Sequence, residues 1–213
     1  PQPGVRRVTG RRPPCVAVTE GEGPGLRLAA RLRESGADVR VLPVVTHGPA
    51  PDPAALDAAL ARLGQYAWVA FTSARAVGAV WSRPAWMGID WSGAMRPRVA
   101  AVGPMTEAAL VARGLRADVS PAVPGARALA EAIIEAESGS MSGLMVLWPR
   151  SDRARPDLDD VLTAAGARVV APVAYCTAPG RPAGKNGSAA AWPAPPAAAG
   201  PPAAAGARAA RGR

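Results

Sequence analysis

Short apolar runs and amphipathic stretches alternate along the chain from about residue 14. "CVAVT" (15–19) is a compact β-branched run and predicts a strand. It leads through "EGEGPG" into "LRLAARLRESGA", where Leu28, Ala29 and Leu32 share a helical face before Gly36 ends the pattern. "DVRVLP" (38–43) predicts the next strand, and "PAALDAALARLG" (53–64) a helix presenting Leu56, Ala59, Leu60 and Leu63. "AWVAFT" (67–72) is again strand-like, with a helix from Ser73, and "RVAAV" (98–102) precedes a helix from about Pro104 to Arg113. "ADVS" (117–120) predicts a short strand, and the helix around 126–137 buries Leu129, Ala132, Ile133 and Ala136. "LMVLW" (144–148) is a continuous apolar run of the kind a buried parallel strand shows. The next helix carries Leu158, Val161, Leu162 and Ala165, and Gly166 stops it before "ARVVAPVAYCT" (167–177).

This repetition of strand and helix implies an α/β protein of open parallel sheets with helices on both faces. Two segments break the rhythm. Residues 81–95 set Trp81, Trp86 and Trp91 in a Gly/Pro-containing loop, more in keeping with indoles covering a domain edge than with a base-stacking platform. After Pro179 the chain has no Leu, Ile, Val, Met, Phe or Tyr, so residues 181–213 read as a disordered Ala/Pro/Gly/Arg tail.

Composition narrows the class. The chain has 213 residues, 49% of them apolar and 19% charged, enough for one ordinary domain or two small ones. No apolar stretch approaches the ~20 residues needed to cross a bilayer, and no signal peptide precedes the first strand, so a soluble, cytoplasmic chain is expected. It begins Pro1-Gln2 without a Met, as a processed chain or a fragment would. The net charge of +9 resembles a nucleic-acid signal, but five of the cations lie in the tail beyond Pro179. Elsewhere 20 cations face 16 acids without forming a stripe, so no nucleic-acid partner is expected. Cys15 and Cys176 lack any CxxC or Cys/His spacing, which argues against a disulfide framework and a zinc site.

Candidate chemistry gathers at the strand–helix junctions, since open parallel sheets bind ligands at the carboxyl ends of their strands. Thr72-Ser73 end one strand and can cap the next helix. At "AVGPMTEAAL" (101–110), Gly103 allows close approach, Pro104 suits a first helical turn, and Thr106 adds a hydroxyl. In "PRSDRARPDL" (149–158), Ser151 and Asp152 can cap while Arg150, Arg153 and Arg155 add positive charge. Helix starts together suit a polyanion, although each hydroxyl taken alone is adequately explained as a cap. There is no GxGxxG, Walker or GxSxG motif. His47, the only histidine, falls in a connecting segment, and Asp157, Asp159 and Asp160 read as a solvated helix face rather than a metal site.

Five stretches, in order, resemble the uroporphyrinogen-III synthases: "LAARLRESGADVRVLP", "WVAFTSARAV", "VAAVGPMTEAALVARG", "VLWPRSDRARPDLDDVLTAAGARV" and "APVAYCT". The resemblance spans roughly residues 14–180. It implies two Rossmann-like or flavodoxin-like parallel-sheet lobes joined by a two-stranded linker crossing near 43–48 and 171–177. Residues 46–172 would be the complete second lobe, and 14–42 plus 175–180 an incomplete first lobe. The implied reaction closes hydroxymethylbilane, a linear tetrapyrrole with two carboxylates on every ring, by loss of water and inversion of ring D to uroporphyrinogen III. A reactive azafulvene and a spiro intermediate are the usual proposals, without metal or cofactor.

By the same resemblance, Tyr175 matches the tyrosine that assists departure of the hydroxyl, and Thr72, Ser73, Thr106 and Arg153 match cleft-lining positions. A monomer is implied, with substrate handed over by hydroxymethylbilane synthase. A strand tyrosine packed at a hinge is the plainer account of Tyr175. Two departures weaken the match: Glu20 stands where many relatives carry an arginine, and the tail replaces a further stretch that relatives have. With Arg outnumbering Lys 24 to 1, a frameshift near codon 180 of a GC-rich gene is one expected origin of the tail, and the chain is expected to be impaired. The competing reading is a non-catalytic α/β anion-binding module or the remnant of a synthase–regulator fusion. The tail shows no helix-turn-helix pattern, which counts against the fusion. A generic sugar- or nucleotide-binding α/β domain is a third reading and has no fingerprint.

Overall fold

The structure, a computed structural model, describes residues 13–21, 23–87, 91 and 96–180. The tail reading therefore lies outside the described residues, as does most of the stretch between Met87 and Arg96. The first parallel unit is small. Its strands β1 (Cys15–Val18) and β2 (Asp38–Val41) pair in parallel, Cys15 opposite Asp38 and Val18 opposite Val41. They are joined by α1 (Gly23–Glu34), and among the described residues Val18, Ala29 and Val39 form the buried hydrophobic cluster of this unit. Two strands are too narrow to cover one face of a three-turn helix. Leu28, expected inside, is consequently 52% exposed, and Leu32 is only partly buried.

The main layer is a four-stranded parallel sheet. It contains β4 (Trp68–Phe71), β5 (Arg98–Ala101), β6 (Met145–Leu147) and β8 (Arg168–Val170), in the order β5-β4-β6-β8. Every residue of β4 is buried, as its continuous apolar run demands. Strand alternation splits these residues between two cores. Val69, Phe71, Val99, Ala101 and Leu147 pack with helices α2 (Pro53–Leu60), α3 (Ala74–Trp81) and α5 (Pro104–Val111). Trp68, Ala70, Ala100, Val146 and Trp148 pack with α6 (Ala126–Ala136) and α7 (Asp157–Ala164), through Leu129, Ile133, Leu158 and Leu162.

Trp86, in the four-residue helix α4 (Pro84–Met87), is 2% exposed and sits in the first of these cores. Its ring lies 6.0 Å from Phe71, 5.1 Å from Trp81 and 4.5 Å from Trp91. Trp86 is thus part of the core, with Trp81 and Trp91 partly buried against it.

A third sheet crosses between these units. Strands β3 (Val45–Pro49) and β9 (Val173–Pro179) are antiparallel, Val45 opposite Pro179 and Pro49 opposite Tyr175, and β7 (Arg150–Ser151) adds to β9 in parallel. The single run expected over 167–177 breaks at Ala171-Pro172, because proline has no N–H for the ladder; the Pro172 carbonyl accepts the Arg150 amide at 3.0 Å. "ADVS" contributes one bridge, Ala100 to Val119. The Asp118 carboxylate takes the Val99 N–H at 2.7 Å, so a side chain occupies part of that edge. Among the described residues no helix is long and apolar enough to cross a membrane.

Candidate functional site

Strands β5, β4 and β6 are parallel neighbours, so the junctions that follow them lie along one edge of the sheet. At the β4 junction Ser73 has extended backbone, and its Oγ caps α3 by accepting the Ala76 N–H at 3.1 Å. The same Oγ lies 3.1 Å from Tyr175 Oη. Tyr175 is brought there by β9 from 102 residues further along the chain. His47 on β3 packs its ring 5.8 Å from the tyrosine ring. Ser73 and Tyr175 line a cleft of about 460 Å³ together with Glu20, Gly23, His47, Ala74 and Arg75. Arg75, in the first turn of α3, bonds Glu20 through Nη2 to Oε1 at 3.0 Å.

The other expected residues are placed differently. Thr72 Oγ1 accepts Trp148 Nε1–H at 3.1 Å, a bond that ties β4 to the end of β6. Thr106 is 3% exposed: with Leu110 it forms the inward face of α5, so its hydroxyl is not offered to solvent. Gly103 does precede α5, but the close approach it permits is to Pro124, whose Cγ would stand 3.1 Å from an added Cβ.

At the third junction Ser151 and Asp152 do not cap α7. That helix starts after Pro156 without a side-chain cap, and Asp157, Asp159 and Asp160 supply first-turn acids favourable to its dipole. Ser151 instead accepts the Arg153 N–H at 3.1 Å and lies 3.3 Å from Thr177 Oγ1, while Asp152 accepts the Thr177 N–H at 2.9 Å. These bonds fasten the turn after β7 to β9. Partial burial opposes the Asp152 charge, but the Thr177 and Arg153 amides, the Ser151 hydroxyl and the Arg153 cation hold its carboxyl below the usual range. Burial and the Asp152 charge push the Cys176 thiol up, away from reactivity. The Arg150 side chain is bound to the Ala171 and Ser151 carbonyls. Arg153, its side chain 71% exposed, lines a separate groove with Val44, Val45 and Thr177. Among the described residues no group of three or more His, Cys, Asp or Glu is placed to hold a metal ion.

The structure thus joins Ser73 and Tyr175, pairs Ser151 with Tyr175 in the register of β7 against β9, and turns Thr106 inward. Sequence reasoning missed His47 and Arg75 as cleft residues. Arg75 had a signal, being the only charge in "WVAFTSARAV"; His47 had one too, as the single histidine beside a crossing segment.

Parallel α/β layers crossed by an antiparallel strand pair define an α/β protein of two-lobe plan, with a cleft at the crossing. The chain belongs to the uroporphyrinogen-III synthase family: the family described as Uroporphyrinogen-III synthase HemD matches residues 27–192. It is 32% identical over 161 residues to the uroporphyrinogen-III synthase of Synechococcus elongatus, covering 75% of this chain and 59% of the relative. Its fold is similar to that of a mutant uroporphyrinogen III synthase from the extreme thermophile Thermus thermophilus, with TM-score 0.57 and 17% identity, covering 79% of this chain and 64% of that one. The wild-type protein in a second crystal form gives TM-score 0.52 at 18% identity over 78% and 63%. This chain therefore spans about 59% of the length of the curated relative and 64% of the solved one.

Proposed function

We propose that this chain binds hydroxymethylbilane in the cleft at the crossing and assists its closure to uroporphyrinogen III. The observation that carries the reading is the Ser73–Tyr175 contact, two hydroxyl groups 3.1 Å apart on the wall of a cleft that also holds Arg75. Ser73 Oγ already accepts the Ala76 amide, so its own proton is available to Tyr175 Oη. Tyr175 can then direct its proton into the cleft, onto the departing hydroxyl of the bilane, which leaves as water. Ring D attacks the azafulvene left behind through its substituted α-carbon, giving a spiro intermediate. The bond from that carbon to the ring C methylene then breaks, leaving an azafulvene on ring C. The free α-carbon of ring D attacks it, and loss of the proton from that carbon restores the aromatic pyrrole with ring D inverted. Holding both ends of the bilane together is chiefly a proximity task, for which the acid arms give the grip.

On this reading Tyr175 is catalytic, and Ser73 and Thr72 position the junction. Ser151 and Arg153 hold the neighbouring turn, and Gly103 and Thr106 shape the next one from within. The substrate comes from hydroxymethylbilane synthase, and the chain acts as a cytoplasmic monomer without cofactor. Binding without turnover is a second reading, favoured by the chain's covering only 59% of its curated relative. Supplying the full chain with hydroxymethylbilane and separating the oxidised isomers decides between them. Turnover gives the type III isomer above the uncatalysed, uninverted background; binding alone gives only that background while the chain still retains added uroporphyrinogen III in a separate titration.

A further inference from the structure

We infer that His47 is a ligand-binding residue of this cleft, donating a ring N–H to a carboxylate arm of the tetrapyrrole beside Tyr175. The inference rests on the reading of the cleft as a polycarboxylate site. His47 stands opposite Thr177 in the β3–β9 ladder, and Pro49 stands opposite Tyr175. Paired residues share a face, as do residues two apart on a strand, so His47 and Tyr175 are diagonal neighbours on one side of the crossing sheet. Their rings lie 5.8 Å apart, tilted by 48°, and both residues line the cleft of about 460 Å³. Strand pairing and ring contact together fix where the imidazole stands.

The other polar side chains of the cleft are engaged. Ser73 caps α3 and touches the Tyr175 hydroxyl, and Glu20 bonds Arg75. His47 is only partly buried, and among the described residues neither of its ring nitrogens has a hydrogen-bond partner. An imidazole carries at least one N–H in either charge state, whereas a carboxylate can only accept. Protonation of the ring adds an opposite charge, which strengthens the same bond. His47 is also the only histidine in the chain. The charged and titratable groups around it are Glu20, Arg75 and Tyr175 in the cleft, and Asp52 beyond the end of β3. Cys176 on β9, its thiol pushed up, and Asp152 and Arg153 in the turn fastened to β9 complete the set. None of these is an imidazole, the side chain that ordinarily changes charge near neutral pH. A rise in affinity on mild acidification would therefore belong to His47.

Titration of the full chain and of His47→Phe with uroporphyrinogen III, kept reduced and dark, tests this. Phenylalanine keeps a ring against Tyr175 and loses the N–H. Binding by the unaltered chain is expected to tighten from about pH 8 to about pH 6. His47→Phe is expected to bind about three- to ten-fold more weakly at the acid end and to lose that dependence; the range lies between an exposed ion pair and a buried charged hydrogen bond. With one imidazole in the chain, isotope-labelled histidine gives a single ring signal, and saturation with ligand should move it toward the imidazolium position. That second measurement needs no variant, so it decides the matter if His47→Phe does not fold. Equal binding by the two proteins, a pH dependence that persists in His47→Phe, or a ring signal that saturation does not move toward imidazolium overturns the role of His47 alone. Failure of the unaltered chain to bind overturns the proposed function and this role with it.

Discussion

One hydroxyl on the wall of the cleft has two duties. Ser73 Oγ caps α3 and touches Tyr175, so substitutions there separate structure from chemistry. Ser73→Ala should lower stability by about 1 kcal/mol through the lost cap, read as a fall in melting temperature. Ser73→Asp should restore the melting temperature, since a carboxylate caps well, yet it cannot donate to Tyr175 and should draw the phenolic proton to itself. Type III isomer formation should therefore fall in both variants while stability falls only in the first. Tyr175→Phe leaves the cap intact and should cut that formation by about 10²-fold at unchanged melting temperature. A second residue with a measurable role is Asp118, which accepts both ends of the Arg96 guanidinium at 2.8 Å and the Val99 N–H at 2.7 Å. The Arg96 hydrogen bonds, with help from the Val99 amide and against partial burial, hold its carboxyl below the usual range. A depressed folded-state value means stability that is fully present above the unfolded value, near 3.9, and lost as pH falls through the folded one. Asp118→Asn should cost about 1–2 kcal/mol at neutral pH, and acid melts of wild type and variant should converge below pH ~4.

At the scale of elements, the sheet depends on alternation within β4, whose Trp68 and Ala70 face one core and Val69 and Phe71 the other. Phe71→Ala should cost about 3–5 kcal/mol, because a fully buried ring packed against Trp86 leaves a cavity that the parallel strands cannot close. Chemical denaturation checks this, and a cost near that of a surface change would mean the layer repacks freely. Periodicity made most of these elements legible in advance: β4, β6 and helices α2, α3 and α6 lie where their apolar spacing puts them. What the spacing could not carry was direction and partnership. Thr106 and an exposed cap residue look alike in a string of letters, and only the packing of α5 turns the hydroxyl inward. Ser151 sits before a helix in sequence, but an intervening turn lets it bond β9 instead. The Ser73–Tyr175 and Glu20–Arg75 contacts join residues 102 and 55 positions apart, a distance over which no local pattern speaks.

Across the whole molecule, burial is distributed unevenly, and this has a consequence for how the chain opens. Among the described residues, the hydrophobic cores on the two faces of the four-stranded sheet hold seventeen and twelve buried residues, whereas that of the β1–α1–β2 unit holds three. Two parallel strands and one helix with so small a buried core contribute little stability of their own. Leu26 and Leu28 remain about half exposed on α1, so this unit has apolar surface without matching cover. Its polar hold on the rest includes the Val44 N–H bond to the Thr19 carbonyl at 3.1 Å and the Glu20–Arg75 pair. Local opening should therefore begin there, with residues 15–41 exchanging amide hydrogens well before β4, β5 and β6. Hydrogen exchange read by mass spectrometry on the full chain tests this directly, and uniform protection across both units would contradict it. Glu20→Gln removes one of these ties and should speed exchange in 15–41 while leaving the four-stranded sheet unaffected. Exchange in 15–41 unchanged by Glu20→Gln would mean that the pair does not fasten this unit.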